Sequence, residues 1–108
     1  MTETVDQWHA VGMEGDVQPG EMAAHDVGTH QLALYNIEGE LFCTDNICSH
    51  AYALLTDGWL DGEVVECPLH GAQFDVRTGK AMCEPATCDV KTYPIRIVDG
   101  RIEVSLPA

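Results

Sequence analysis

Basic residues are the most conspicuous lack in this sequence. Of its 108 residues, 18 are Asp or Glu and only five are Lys or Arg, so the formal net charge is −13. The five basic residues all come after residue 76: Arg77, Lys80, Lys91, Arg96 and Arg101. A chain without a basic patch attracts neither nucleic acid nor an anionic membrane surface. We therefore exclude both partners and expect the acidic surface to serve solubility or to attract a basic protein surface.

Long apolar runs are also missing. No stretch approaches the roughly 18 consecutive apolar residues of a membrane-spanning helix. The first ten residues, MTETVDQWHA, have neither the basic region nor the apolar region of a signal peptide. We therefore expect a soluble, cytoplasmic protein, and the length of 108 residues predicts a single domain over 1–108.

Aromatic residues make up only 6% of the chain, whereas glycines number ten and prolines five, which favours a turn-rich, mostly β structure. Hairpin signals stand at Glu38-Gly39, Asp61-Gly62 and Asp99-Gly100. Leu32, Leu34 and Asn36 should share one strand face. The pattern predicts strands over 7–11, 22–27, 30–37, 41–44, 58–60, 63–66, 73–75, 91–98 and 101–106, with a loop over 78–89. We predict an antiparallel β-sandwich or barrel.

Two short motifs carry metal-binding residues. Cys48-Ser49-His50 and Cys67-Pro68-Leu69-His70 each pair a thiol with an imidazole, and 16 residues separate His50 from Cys67. A mononuclear zinc site would accept two Cys and two His, although small zinc folds place like ligands together and follow them with a helix. A two-iron, two-sulfur cluster accepts both Cys on one iron and both His on the other. The mixed order within each loop favours the cluster, in a subdomain over about 45–85.

The remaining reactive or aromatic side chains have simpler interpretations. We interpret Cys43 as a small buried hydrophobe, and Cys83 and Cys88 as free thiols of a reducing compartment. Three further histidines have no second ligand at metal spacing: His9, His25 and His30. We interpret Trp8 and Trp59 as packing residues, with a contact to the cluster subdomain or to a partner as the alternative for Trp59, which lies beside the ligand hairpin. Since nothing resembles a nucleophile with its base, a phosphate-binding loop or a flavin site, we do not expect an enzyme.

The segment DNICSHAYALLTDGWLDGEVVECPLHGAQFDVRTGKAMCEPA, followed by VKTYPIRIVDGRIEVSL, resembles Rieske-type ferredoxins, in particular the ferredoxin component of bacterial aromatic-ring hydroxylating oxygenase systems. The resemblance covers residues 7 to 106. It implies the Rieske fold of three antiparallel sheets and one 2Fe-2S cluster per chain. It also implies a monomer that passes single electrons from a flavin-containing, NAD(P)H-dependent reductase to a terminal oxygenase. In this family Cys48 and Cys67 would hold the inner iron, and His50 and His70 the outer iron.

Departures from the respiratory Rieske proteins indicate a low reduction potential. Those proteins carry a disulfide between the positions of Ala53 and Leu69, and hydroxyl donors at the positions of Ala72 and Phe74. Each lost donor leaves the negative charge of the reduced cluster less stabilised, which lowers the potential. Two alternatives stay open: a permanent Rieske-like subunit of a larger redox enzyme, such as a nitrite reductase small subunit, and a zinc-stabilised structural module.

Overall fold

Eleven β-strands in three antiparallel sheets make up the part of the chain that the computed structural model describes, which is residues 7–48, 53–68, 71–83 and 89–107. Two single-turn 3-10 helices, Glu14–Asp16 and Leu55–Asp57, are the only helical segments within these ranges. No helix in this part of the chain is long and apolar enough to cross a membrane. The prediction of an all-β, antiparallel fold is confirmed.

The first sheet has three strands, in the order β1 (Gln7–Met13), β11 (Arg101–Leu106) and β10 (Ile95–Val98). The second has four, in the order β2 (Met22–Val27), β3 (His30–Ile37), β4 (Glu40–Asp45) and β9 (Thr92–Tyr93). The third also has four, in the order β5 (Trp59–Asp61), β6 (Val64–Glu66), β7 (Gln73–Asp75) and β8 (Ala81–Cys83).

Strand β3 separates two hydrophobic cores. Leu32 and Leu34 belong to the core beneath the first sheet, whereas Ala33, Tyr35 and Ile37 belong to the core that also contains Cys48 and Cys67. The sequence placed one face of β3 correctly but did not predict that both faces are buried. One face of β3 therefore packs in the same core as both motif cysteines, directly against the predicted metal site.

Two hairpins form as predicted. Glu38 and Gly39 both have positive φ, at 54° and 95°, and so do Asp99 and Gly100, at 52° and 78°. Two consecutive residues of positive φ define the type I′ turn, which matches the twist of the flanking strands. The third turn is displaced by one residue: β5 ends at Asp61 and β6 begins at Val64, so the turn residues are Gly62 and Glu63.

The predicted strand over 91–98 is wrong as a single element. It is two strands, β9 in the second sheet and β10 in the first, and Pro94 stands between them. Proline lacks the N–H that a ladder needs, so the chain leaves one sheet here and enters the other.

The predicted loop over 78–89 is also wrong in part, because it contains β8. This edge strand pairs with β7 through a bulge, with Gln73 opposite Cys83 and Phe74 opposite Ala81. Three residues are too few to show an alternating pattern, and the N–H of Ala81 is held from outside the sheet by the Asp89 carboxylate at 2.8 Å. This strand is therefore stabilised by pairing with β7 and by Asp89, eight positions after Ala81, and the sequence of its own three residues does not predict it.

Arg77 attaches the third sheet to the second. Its Nε lies 2.8 Å from a carboxylate oxygen of Glu63, in the β5–β6 turn, and an Nη lies 3.7 Å from Glu40 on β4. The guanidinium also lies 4.9 Å from the centre of the Phe42 ring. One side chain thus links the two sheets by charge and by a cation–π contact.

Candidate metal centre

Two loops of equal length present Cys48 and Cys67 in the same way. The N–H of Cys48 donates to the carbonyl of Ala53 at 2.8 Å, and the N–H of Cys67 donates to the carbonyl of Ala72 at 2.7 Å. In both loops the closing bond therefore joins the first residue to the sixth. Just outside these bonds, Ile47 pairs with Leu54 and Glu66 pairs with Gln73. Each cysteine is the first residue of a closed six-residue loop.

Both cysteines lie at the bottom of their loops, inside one apolar core. Their exposed fractions are 3% for Cys48 and 0% for Cys67, and Phe74 and Val65 belong to the same cluster. Burial excludes water from the thiols and lowers the local dielectric constant. The two thiols therefore lie in a dry, apolar environment.

Asn46 fixes the first loop from beneath. Its Nδ2 donates to Thr56 Oγ1 at 2.9 Å and its Oδ1 accepts from the Thr56 N–H at 2.9 Å. Its backbone carbonyl accepts from the N–H of Leu55 at 2.7 Å. Asn46 thus joins the segment before the first loop to the segment after it, at Leu55 and Thr56. Sequence reasoning missed Asn46, and its only signal was an amide two residues before a candidate ligand.

Gly58 fixes the second loop. A β-carbon at this position would overlap the backbone carbonyl oxygen of Glu66 and lie 3.1 Å from Cδ of Pro68. These two residues flank Cys67, so the turn that follows the first loop presses directly against the start of the second. Sequence reasoning took Gly58 for part of a strand and missed this contact. No local pattern could have shown it, because eight positions separate Gly58 from Glu66.

The structure brings together two of the four predicted ligands, Cys48 and Cys67. The other two, His50 and His70, lie outside the described residues. Within the ranges that are described, no three His, Cys, Asp or Glu side chains converge on another metal site. His9, His25 and His30 lie on β1, β2 and β3, as the sequence suggested.

The residues that are described fit a cluster of the Rieske type. Such a cluster needs two thiolates on its buried iron, and the two matched loops supply two buried cysteines from equivalent positions. Ala72 and Phe74, which replace the hydroxyl donors of the respiratory proteins, are fully buried. Neither can donate a side-chain hydrogen bond, which fits the predicted low potential.

Cys43 is the buried hydrophobe that the sequence predicted, with 1% of its surface exposed. Burial raises the pKa of its thiol to about 12, and the nearby negative charge of Asp45 adds to the shift. The thiol is therefore protonated at neutral pH, and it belongs to the core beneath the first sheet rather than to the core of Cys48 and Cys67. Cys88 lies outside the described residues.

The interpretation of Trp59 as a packing residue is wrong. Trp59 is the first residue of β5, and its side chain lies on the outer face of the third sheet with 60% of its surface exposed. Trp8 is 40% exposed and is covered in part by Arg96, whose guanidinium carbon lies 3.9 Å from the ring centre.

Comparison with known proteins agrees with the site. The Rieske [2Fe-2S] domain family matches residues 7–94. The chain is 45% identical over 100 residues to the ferredoxin component of the naphthalene 1,2-dioxygenase system of Pseudomonas putida, which covers 93% of this chain and 96% of that one. It is 43% identical over 107 residues to the anthranilate 1,2-dioxygenase ferredoxin subunit of Burkholderia cepacia, covering 98% and 99% of the two chains.

Solved structures show the same likeness. The Sphingomonas yanoikuyae B1 ferredoxin superposes with a TM-score of 0.89 at 41% identity, over 94% of this chain and all of that one. A chain from the complex of reduced oxygenase and oxidised ferredoxin in carbazole 1,9a-dioxygenase gives 0.86 at 34% identity, over 91% and 92%. A putative NADH-dependent nitrite reductase small subunit from Mycobacterium tuberculosis gives 0.84 at 22% identity, over 96% and 98%, and shows the fold alone.

These matches exclude the zinc module, because the family they share is defined by an iron-sulfur centre. The chain belongs to the Rieske [2Fe-2S] domain family, and its cofactor is one Rieske 2Fe-2S cluster.

Proposed function

We propose that this protein is an electron carrier. It takes single electrons from a flavin-containing, NAD(P)H-dependent reductase and passes them to a terminal oxygenase that hydroxylates an aromatic ring. The observation that carries the proposal is the pair of matched loops, each with a buried cysteine at its base, in a chain 45% identical to a dioxygenase ferredoxin over 93% of its length. The chain is a component of an oxygenase system and is not itself the oxygenase.

The four motif residues are the proposed ligands. Cys48 and Cys67 hold the inner iron, and His50 and His70 hold the outer iron. When bound, the cluster accepts and releases one electron. The protein's part is to keep the thiolates in a dry core and to fix the two loops through Asn46 and Gly58. The subdomain that does this spans about 45–85, within a single domain over 1–108, and we expect a cytoplasmic monomer.

The potential suits the proposed place in the electron path. Reduction adds a negative charge to the cluster, and hydrogen-bond donors stabilise that charge. Since positions 72 and 74 offer none from their side chains, the reduced state is less stabilised than in the respiratory proteins. We therefore expect a low reduction potential, which suits a carrier that takes electrons from reduced flavin and passes them onward.

A permanent subunit of a nitrite reductase is the weaker alternative. The similar small subunit shares only the fold with this chain, at 22% identity. The identities above 40% over nearly the full length are with dioxygenase ferredoxins. A carrier purifies without a stoichiometric large subunit, whereas a permanent subunit does not.

The test is electron transfer in both directions. Under anaerobic conditions the oxidised protein is mixed with NADH and the reductase of an aromatic dioxygenase system. Separately, the dithionite-reduced protein is mixed with the oxygenases of three systems whose ferredoxin components are more than 40% identical to this chain, those for naphthalene, anthranilate and 2,4-dinitrotoluene. We expect one electron per chain from the reductase and transfer to at least one oxygenase. The proposal would be overturned if the reductase did not reduce the protein, or if the reduced protein passed electrons to none of the three oxygenases.

A further inference from the structure

The outer face of the third sheet is acidic and carries one exposed indole. In the register of β5, β6 and β7, Trp59 lies beside Glu66, which lies beside Gln73, and the next row contains Asp61, Val64 and Asp75. The alternate residues Leu60, Val65 and Phe74 point to the core. Since β-strand side chains alternate between faces, these two rows form a single outward surface.

Trp59 is the most exposed large hydrophobic side chain in the described residues, at 60%. Trp8 offers an internal comparison, because its ring already has the guanidinium of Arg96 above it at 3.9 Å. Within the described part of the chain, no cation lies over the ring of Trp59. An exposed, uncovered indole is typical of a protein contact, since tryptophan is enriched at interfaces and rare on free surfaces.

The surroundings of Trp59 favour a cationic group. A recess of about 420 Å³ is lined by five residues: Trp59, Asp61, Val64, Glu66 and Gln73. Two of the five are acidic and none is basic, in a chain without Lys or Arg before residue 77. A guanidinium stacks on indole and donates hydrogen bonds from its edge to carboxylates, so arginine fits this recess better than lysine.

We infer that the outer face of β5–β7 docks the terminal oxygenase, and that an arginine of the oxygenase lies over Trp59 between Asp61 and Glu66. The inference rests on the proposed function. Trp59 pairs with Glu66, and Glu66 directly precedes Cys67, so the face is continuous with the second ligand loop. We assign the oxygenase because a similar ferredoxin has been solved in complex with its oxygenase.

The first test compares two tryptophans. The second-order rate constant for transfer from the dithionite-reduced holoprotein is measured with the oxygenase that accepts its electrons, for the wild type, Trp59→Ala and Trp8→Ala. We expect a fall of at least about fivefold for Trp59→Ala, which corresponds to a loss of about 1 kcal/mol, more than most interface residues cost when truncated, and none for Trp8→Ala. A Trp59→Ala rate constant within twofold of the wild type would overturn the inference.

Two readouts separate docking from damage to the site. Iron content and reduction potential should be unchanged in Trp59→Ala, because the ring lies outside the core. If Trp59→Ala loses iron, Trp59→Phe is measured in its place. This variant should keep its full iron content and give a smaller fall in the rate constant for transfer to the oxygenase. The flavin reductase is the second arm: a variant slowed in accepting electrons but not in donating them would assign the face to the reductase and overturn the inference.

Charge reversal provides an independent test. Asp61→Lys alters the face, and Glu14→Lys makes the same change of charge on an exposed residue beside the first sheet. Asp61→Lys should slow transfer several-fold more at about 20 mM salt than at about 300 mM salt, since screening weakens exposed charges. An equal fall for both variants would show a general effect of net charge and would contradict docking at this face. If the wild type reduces no oxygenase at all, the proposed function itself fails.

Discussion

Gly58 lies against the backbone carbonyl of Glu66, the residue before Cys67, so closely that no β-carbon fits between them. Gly58 ends the 3-10 turn that follows the first loop, and its N–H donates to the carbonyl of Leu55 at 3.0 Å. The spacing between the two ligand loops therefore depends on a residue that is itself no ligand.

Gly58→Ala should push the two loops apart. We expect a loss of roughly 2 kcal/mol or more in the free energy of unfolding, because the overlap is with backbone that cannot move aside easily. Gly15→Ala is the matched control, since nothing lies within 4 Å of a β-carbon there and its φ is not positive. The stability of both variants is compared by heating each protein and following the loss of the visible absorption of its cluster. Equal midpoints for the two variants would contradict the role given to Gly58.

Each of the four proposed ligands should be required for the cluster. We expect Cys48→Ser, Cys67→Ser, His50→Ala and His70→Ala to purify with little iron, because a lost ligand leaves an iron open to solvent. Cys43→Ala should retain iron and sulfide in full, since its thiol is protonated and belongs to the other core. Iron and sulfide analysis decides. A variant of any proposed ligand with a full cluster of unchanged spectrum would show that the ligand set is wrong.

Phe74→Tyr should raise the reduction potential, because it adds a hydroxyl donor within the core of the two cysteines. A net hydrogen-bond contribution of about 0.5–1.5 kcal/mol corresponds to roughly 20–60 mV for one electron. Phe42→Tyr adds the same hydroxyl at the partly buried edge of this core, on β4 beside Arg77, and should leave the potential unchanged. Redox titration of both variants measures the shifts, and a fall in potential for Phe74→Tyr would contradict the explanation.

Arg77→Ala should speed the loss of the cluster. The ion pairs of Arg77 are partly exposed, so solvent limits them to at most about 1 kcal/mol, and the contact with Phe42 adds a similar amount. Arg96→Ala is the control: Arg96 also combines an ion pair at 2.8 Å with an aromatic ring, but within the first sheet. Bleaching in a fixed concentration of urea compares the two. Faster bleaching of Arg96→Ala would contradict the linking role of Arg77.

The Cys43 thiol should resist alkylation in the native protein. Burial first, and then the charge of Asp45, raise its pKa to about 12, so at pH 8 only about one thiol in 10⁴ is ionised. The thiolate fraction should rise about tenfold with each pH unit but stay a minority below that pKa, and unfolding should expose the thiol outright. Iodoacetamide labelling followed by mass spectrometry reports Cys43 directly. Labelling at pH 8 at the rate of an exposed thiol would contradict its burial.

Features that depend on local chemistry could be predicted from the sequence. The turns at Glu38-Gly39 and Asp99-Gly100 could be predicted because each pair ends in a glycine, which adopts positive φ freely, and the motif cysteines follow from residue type and spacing. What could not be predicted depends on distant contacts. Pro94 transfers the chain between sheets, Asn46 and Gly58 act on segments eight or more positions away, and Trp59 remains uncovered because nothing else in the described fold reaches it.

A redox titration of the purified holoprotein at pH 7, followed by its visible spectrum, is the most direct test that the chain holds a low-potential Rieske cluster. A Rieske cluster at a site without hydroxyl donors at positions 72 and 74 should titrate as a single one-electron step with a midpoint below zero, toward the lower end of the roughly −150 to +300 mV range of Rieske centres. A colourless protein, or a midpoint well above zero, would contradict it.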